Sequence, residues 1–148
     1  MKEGAIWFNR PTSDAILAKH KNTLPALMGM EFVAVGDDFI SGRIPVDERS
    51  IQPAGILHGG ASVVLAETLG STACFHTLNP DTHYCVGLEI NANHIRSVPK
   101  GSGWVTGVAR PLHTGRLTHV WEIRISDDAD RLVCVSRLTL AVLEKKPS

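Results

Sequence analysis

Glu67 is the one carboxylate in the most apolar stretch of this sequence. Residues 58–78 consist mostly of Ala, Val, Leu, Gly, Ser and Thr, which is typical of a buried helix. No Lys or Arg occurs between Arg49 and Arg96 to neutralise the carboxylate. Because desolvating an unpaired carboxylate is costly, its presence here indicates acid–base or nucleophilic chemistry. The alternative is that this side of the helix faces solvent, in which case Glu67 is an ordinary surface residue.

Two other features of the same helix could act with this carboxylate. Ser71 lies one turn later on the same face, although a helical serine often bonds back to its own backbone. The helix starts with His58-Gly59-Gly60, which leaves its first N–H groups uncovered. Such a terminus can stabilise a developing oxyanion, but the glycines could equally serve only to form a tight turn.

The spacing between the helix start and the carboxylate has a consequence for assembly. Gly59 and Glu67 are eight residues apart, which corresponds to about 12 Å along a helix axis. One substrate carbonyl cannot readily contact both groups of a single helix. If both act on one substrate, they come from two chains, and the spacing therefore predicts a homodimer with shared active sites.

The rest of the chain predicts strands and one shorter helix. The first helix is expected at residues 12–22, where Thr12 or Ser13 can serve as the N-cap. Strands are expected at residues 29–36, 38–46, 84–94, 103–112, 117–126 and 132–143. In the strand at 84–94, alternation predicts one apolar face formed by Tyr84, Val86, Leu88, Ile90 and Ala92.

The order of these elements predicts the fold class. Short turns join the last three strands, which favours antiparallel pairing. One buried helix among six strands predicts an α+β fold in which the sheet curls around the helix. A chain of 148 residues has the length of one ordinary domain, so residues 1–148 are expected to form a single unit.

The overall composition limits the partners to be expected. Lys plus Arg and Asp plus Glu number 15 each, so no general attraction to nucleic acid or to an acidic membrane is expected. Three cysteines lie in apolar stretches without a Cys-x-x-Cys pair, which predicts reduced thiols in a cytoplasmic protein. We expect no secretory signal and no membrane span. The seven histidines show no metal-ligand spacing, so no metal is expected.

The sequence around the central helix resembles that of a known enzyme family. The run from Gln52 to Ser62, continued by Ala66-Glu67-Thr68-Leu69-Gly70-Ser71, is similar to bacterial hotdog acyl-CoA thioesterases. That group includes the phenylacetate-pathway, enterobactin-proofreading and 1,4-dihydroxy-2-naphthoyl-CoA thioesterases. The resemblance extends from about Ile6 to Leu143. It implies a hotdog fold, with a six-stranded antiparallel sheet wrapped around a long central helix, and a homotetramer built from two dimers.

The same resemblance implies an activity and the residues that perform it. The activity is hydrolysis of an acyl-CoA, including aryl-CoA, to free acid and coenzyme A, with no cofactor besides the substrate's own coenzyme A. Glu67 is implied as nucleophile or general base, and the Gly59 N–H as the donor that holds the thioester carbonyl oxygen. Gln52 and His58 of the neighbouring subunit would orient the thioester, and Ser71 would position the water or the carboxylate.

The resemblance also implies a coenzyme A site in three parts of the chain. The implied contacts are Gly87, His94, Ile95, Arg96, Ser97, His113, Thr114, Gly115, Arg116, Leu117 and Thr118. Arg and His side chains at strand ends can bind phosphates through charge-assisted hydrogen bonds, and the alternative for each is a solvated surface side chain. In that family a Pro follows the arginine directly, whereas here Arg96 precedes a longer turn, residues 97–103.

Two other functions remain compatible with the sequence. A hotdog dehydratase or hydratase also uses a His with an acidic residue, although its His-Phe-Pro-Gly signature is absent here. A non-catalytic acyl-CoA-binding protein would need no carboxylate beside the thioester. The sequence does not identify the acyl group of the substrate, because pockets of Val, Leu, Ala and Phe side chains suit aromatic and aliphatic chains alike.

Overall fold

The structure is a computed structural model that describes residues 4–147. Its elements, in chain order, are α1 (Ser13–Lys19), α2 (Leu24–Leu27), β1 (Glu31–Val35), β2 (Ile40–Pro45), α3 (Gly59–Thr77), β3 (His83–His94), β4 (Trp104–Thr114), β5 (Thr118–Asp127) and β6 (Leu132–Glu144). The helix expected at residues 12–22 is shorter, because Thr12 is its N-cap and it ends at Lys19. The four-residue helix α2 was not expected from the sequence.

The six strands form one antiparallel sheet in the order β1-β2-β4-β5-β6-β3. Helix α3 packs across the inner face of this sheet and contacts β2, β3, β4, β5 and β6. The core between them is fully buried and apolar; it includes Leu65, Leu69, Ile123, Ile125 and Leu138. The α+β class, with a sheet wrapped around one long helix, is thereby confirmed.

Helix α3 begins at Gly59, directly after its N-cap residue His58. The Nδ1 atom of His58, the N-cap, accepts the N–H of Gly60 at 2.8 Å and so satisfies one of the free donors of the first turn. A Cβ built on Gly70 would lie 2.7 Å from Leu138 Cδ2, so the absence of a side chain lets the helix approach the sheet closely. The opposite side, with Val64, Glu67 and Ser71, is only half-buried. A helix expected to be buried all round is thus buried on one face.

Strand β3 departs from the predicted alternation. The register with β6 shifts between Gly87 and Glu89, so the intervening Leu88 forms a β-bulge and is 61% exposed. Before the bulge the inward-facing residue is Cys85, and Tyr84 and Val86 are exposed. The prediction of one continuous apolar face was therefore wrong for Tyr84, Val86 and Leu88. It holds for Ile90 and Ala92, which pack against the core.

Three further sequence expectations can be compared with the structure. The hairpin expected near residues 36–38 joins β1 to β2. Cys74, Cys85 and Cys134 are free thiols. Among residues 4–147, no helix is both long enough and apolar enough to cross a membrane.

Candidate functional site

The Glu67 carboxylate lies on the half-buried face of α3. It borders a cavity of about 270 Å³ whose other lining residues are Leu24, Pro25, Val63, Val64 and Thr68. Helix α2 supplies two of these residues, and the sequence did not reveal them because α2 has only four residues. Within residues 4–147 the carboxylate makes no ion pair, and its surroundings are apolar. It is therefore free to act on a ligand.

Gly87 on β3 faces this carboxylate. A Cβ on Gly87 would lie 2.7 Å from Glu67 Oε1, so only a glycine permits the carboxylate to rest against the strand. The bulge at Leu88 follows directly and turns the next part of the strand. The structure therefore brings together Glu67 and Gly87, for which the resemblance implied separate roles in catalysis and in coenzyme A binding.

The N-terminus of α3 presents a free backbone donor. Among residues 4–147, the Gly59 N–H has no hydrogen-bond acceptor, whereas the next amide, that of Gly60, is capped by His58. Because His58 accepts through Nδ1, its neutral ring carries a proton on Nε2 and offers a second donor. A Cβ on Gly59 would lie 2.8 Å from His94 Nε2, so the end of β3 stands beside this amide.

A second cavity, of about 280 Å³, surrounds this amide. It is lined by Gln52, Ile56, Leu57, Gly59, Ser62, His94, Ile95, Arg96, Ser97 and Val133. Six of the residues implied by the resemblance thus meet at one place. Ser62 was missed; it is 1% exposed and one turn after Gly59, a helical spacing that could have indicated it.

The longer turn after Arg96 folds back onto the same loop. The Leu57 N–H donates to the Val98 carbonyl at 2.8 Å, and the Lys100 N–H donates to the Gly55 carbonyl at 2.9 Å. These bonds tie residues 97–103 to the segment that carries Gln52. Ser97 of this turn lines the cavity, and Arg96 itself is exposed.

The implied coenzyme A segment at residues 113–118 lies at the other end of the sheet. On β6, Ala141 pairs with Thr118, whereas Cys134, seven residues earlier, pairs with His94. Seven residues of extended strand span about 23 Å. The 113–118 turn and the His94 end of β3 therefore do not meet in one chain.

The candidate site thus consists of two separated parts. The carboxylate half-site contains Glu67, Ser71, Gly87 and the exposed turn with His113, Thr114, Gly115, Arg116, Leu117 and Thr118. The amide half-site contains Gln52, His58, Gly59, His94, Ile95, Arg96 and Ser97. One chain carries both half-sites, but Gly59 lies at the start of α3 and Glu67 near its middle, eight residues later.

Ser71 lines a third cavity, of about 350 Å³, next to the carboxylate half-site. The cavity, called here the Ser71 cavity, is lined by Ile16, Lys19, His20, Ser71, Thr72, Phe75, His76 and Cys85. Burial, together with the charge of Lys19, holds the pKa of His76 below its usual value, so this ring is neutral near pH 7. The contribution of α1 to this cavity was missed, because the sequence gives no sign that α1 packs beside α3.

The fold and the arrangement of the half-sites define a hotdog-fold protein with a free carboxylate on its central helix. The sequence model of the Thioesterase superfamily matches residues 54–134, and the chain belongs to that family. It is a thioester hydrolase, since several relatives that match nearly the whole chain are named as CoA-ester hydrolases or thioesterases.

Three of these relatives span this chain almost completely. The 1,4-dihydroxy-2-naphthoyl-CoA hydrolase of Escherichia coli strain K12 is 46% identical over 138 residues, which are 93% of this chain and 99% of that protein. The proofreading thioesterase EntH of Cronobacter turicensis is 46% identical over 93% of this chain and 98% of its own. A crystal structure of a mutant thioesterase from Pseudomonas aeruginosa superposes with a TM-score of 0.92, at 46% identity, over 95% of this chain and 100% of that chain.

Proposed function

We propose that this protein hydrolyses acyl-CoA thioesters to a free acid and coenzyme A, with Glu67 as the catalytic carboxylate. The observation that carries the proposal is the position of this carboxylate: half-buried, without an ion-pair partner among residues 4–147, and against Gly87. The 46% identity to a protein named as a CoA-thioester hydrolase supports the substrate class. The proposed reaction uses no metal and no organic cofactor.

The proposed active site forms when two chains associate through β3. This strand lies at the edge of the sheet and is 12 residues long, so its outer backbone groups are available for pairing. An antiparallel pair of β3 strands with its two-fold axis between Ile90 and Asn91 would place Gly87 of one chain opposite the partner's His94. Because Gly87 touches Glu67 and His94 touches Gly59, this pairing joins one carboxylate half-site to the partner's amide half-site.

In the joined site each group has a distinct task. The free Gly59 N–H and the partial positive charge of the α3 N-terminus polarise the thioester carbonyl and stabilise the oxyanion that develops on it. Glu67, from the other chain, attacks the carbonyl carbon or removes a proton from the attacking water, and the thiolate of coenzyme A leaves. Gln52 and His58 orient the thioester, and Ser71 positions the water or the carboxylate.

The same pairing accounts for the divided coenzyme A segments. A two-fold axis through the middle of β3 brings the 113–118 turn of one chain to the end that carries the partner's residues 94–97. Arg96 and Arg116 are both exposed, and neither takes part in an ion pair within residues 4–147. Such arginines can bind the phosphates of the nucleotide with paired, charge-assisted hydrogen bonds.

The test is to follow thiol release from a panel of aryl- and alkyl-CoA esters with wild-type protein and Glu67→Gln. Loss of the carboxylate should lower kcat about 10²- to 10⁴-fold, the usual contribution of a positioned acid or base. The matched control is Glu122→Gln, which changes a carboxylate on β5 that lies 3.9 Å from Arg124 and away from both half-sites; it should keep full activity. Hydrolysis by Glu67→Gln at the wild-type rate would show that another group is the catalyst.

A further inference from the structure

Two cysteines face each other between α3 and β3, at the Ser71 cavity. Cys85 lines the cavity, and its Sγ atom is 4.0 Å from the Ser71 carbonyl oxygen. Cys74 follows Ser71 by three residues on α3, so it lies on the neighbouring turn of the same side, and it is 0% exposed. The Cys85 sulfur thus lies against the turn of α3 that carries Cys74. One thiol of the pair is therefore open to the cavity and the other is enclosed.

A buried histidine completes this cluster. His119 on β5 is 3% exposed, and its Nδ1 atom lies 3.3 Å from Cys74 Sγ. Burial, with a smaller effect of His113, lowers the pKa of His119, so the ring is neutral near pH 7. The neutral ring can therefore accept the Cys74 proton when that thiol ionises.

The pKa values of the two thiols shift in opposite directions. Donation by the Cys74 thiol lowers the pKa of Cys85, whereas that bond and burial raise the pKa of Cys74. Lys19 also lines the cavity and adds positive charge on the side from which a reagent would enter. A thiol that is partly exposed, near a cation and of lowered pKa is the reactive kind, and a buried apolar one is inert. Cys85 is thus the thiol that meets an oxidant first.

We propose that Cys85 is an oxidation site for hydroperoxides and that Cys74 is its resolving thiol. The Cys85 thiolate attacks one oxygen of hydrogen peroxide; an S–O bond forms, the O–O bond breaks, and the hydroxide that leaves takes up a proton to become water. The Cys74 sulfur then attacks the Cys85 sulfur and loses its proton to His119. An S–S bond forms, the S–O bond breaks, and the hydroxide that leaves takes the proton back from His119 to become water. Two thiols and one peroxide thereby give one disulfide and two waters.

This disulfide would join α3 to the edge strand β3 beside Ser71. It changes the wall of a cavity that adjoins Glu67 one helical turn away, so acyl groups that occupy the cavity would be turned over more slowly. The effect on turnover rests on the proposed function, whereas the oxidation itself does not. Reduction of the disulfide would restore the open cavity.

The test begins with mass spectrometry of the full-length protein after treatment with hydrogen peroxide. Wild-type protein should lose two alkylatable thiols and yield a disulfide-linked peptide that joins residues 74 and 85. Chymotrypsin is the suitable protease because it cleaves at Phe75 and Tyr84, whereas trypsin finds no Lys or Arg between Arg49 and Arg96. Oxidation should be about tenfold faster than that of glutathione, as expected for a thiol with a larger thiolate fraction.

Three variants separate the roles of the thiols. Cys85→Ser should lose the peroxide reaction, and Cys74→Ala should accumulate a sulfenic acid on Cys85 that dimedone traps. Cys134→Ser is the matched control; Cys134 is buried on β6, burial raises its pKa, and its removal should change nothing. The proposal is overturned if Cys85→Ser consumes peroxide like the wild type, or if wild-type Cys134 is oxidised as fast as Cys85.

Activity measurements distinguish this inference from the proposed function. Peroxide should lower thioester hydrolysis by the wild type and by Cys134→Ser, dithiothreitol should restore it, and Cys85→Ser should resist the loss. If no CoA ester is hydrolysed under any condition, the proposed function fails and the disulfide measured by mass stands. If hydrolysis depends on Glu67 but no linked peptide forms, the proposed function stands and the oxidation site fails.

Discussion

Gly87 stands directly against the Glu67 carboxylate, since a Cβ on this residue would lie 2.7 Å from Oε1. We predict that Gly87→Ala displaces the carboxylate and lowers kcat/KM about tenfold or more, because small misplacements of a reacting group are costly. The midpoint of thermal unfolding should hardly change, since the contact is to the end of a flexible side chain at an exposed strand position. Thiol release and thermal unfolding measure the two effects.

A double variant shows whether Gly87 acts through Glu67. In a Glu67→Gln background the added methyl group should cause little further loss, because the group that it displaces no longer works. An equal loss in both backgrounds would mean that Gly87 contributes to activity by another route, such as direct contact with coenzyme A.

At this residue scale the sequence identifies Glu67 from its isolation in an uncharged apolar run. It does not reveal which groups surround the carboxylate. Leu24 and Pro25 come from a four-residue helix that has no periodic signal, and Gly87 comes from a strand far along the chain. Local pattern therefore identifies the candidate group, whereas its environment depends on tertiary packing.

Helix α3 and the sheet pack closely because glycines stand between them. A Cβ on Gly70 would lie 2.7 Å from Leu138 Cδ2, in a region where both residues are buried. We predict that Gly70→Ala lowers the free energy of unfolding by about 1–2 kcal/mol, because overpacking costs more than the gain of about 1 kcal/mol in helix propensity. Denaturation by urea measures the change.

The matched control is Ser71→Ala, on the half-buried side of the same helix. It should change the free energy of unfolding by less than about 0.5 kcal/mol, as substitutions outside the core usually do. If Gly70→Ala instead stabilises the protein, helix propensity dominates and the contact between α3 and β6 adapts at little cost.

The elements themselves show what periodicity can predict. The six strands and α3 were predicted because each is long enough for its pattern of apolar residues to repeat. The face of β3 was mispredicted, since a bulge at Leu88 reverses the alternation and no single residue type marks it. The composition of α3 indicated burial on every side, but in one chain only the side toward the sheet is buried. In the proposed dimer, the other side adjoins the shared site.

At the scale of the whole molecule, the proposed function assigns activity to a pair of chains, because the two half-sites of one chain lie apart. Gln52→Ala damages only the amide half-site, and Glu67→Gln damages only the carboxylate half-site, so each variant alone should be nearly inactive. When the two are co-expressed, random pairing makes half of the dimers mixed, and each mixed dimer holds one intact site of its two. We therefore expect about a quarter of wild-type activity, because a two-fold interface pairs each half-site with the partner's other half-site.

Steady-state thiol release from the purified mixed protein measures this recovered activity, and each variant co-expressed with itself is the control. If mixing restores no activity, all the catalytic groups act within one chain. Gly59 and Glu67 of the same α3 would then both have to contact one thioester, although they are eight residues apart on the helix.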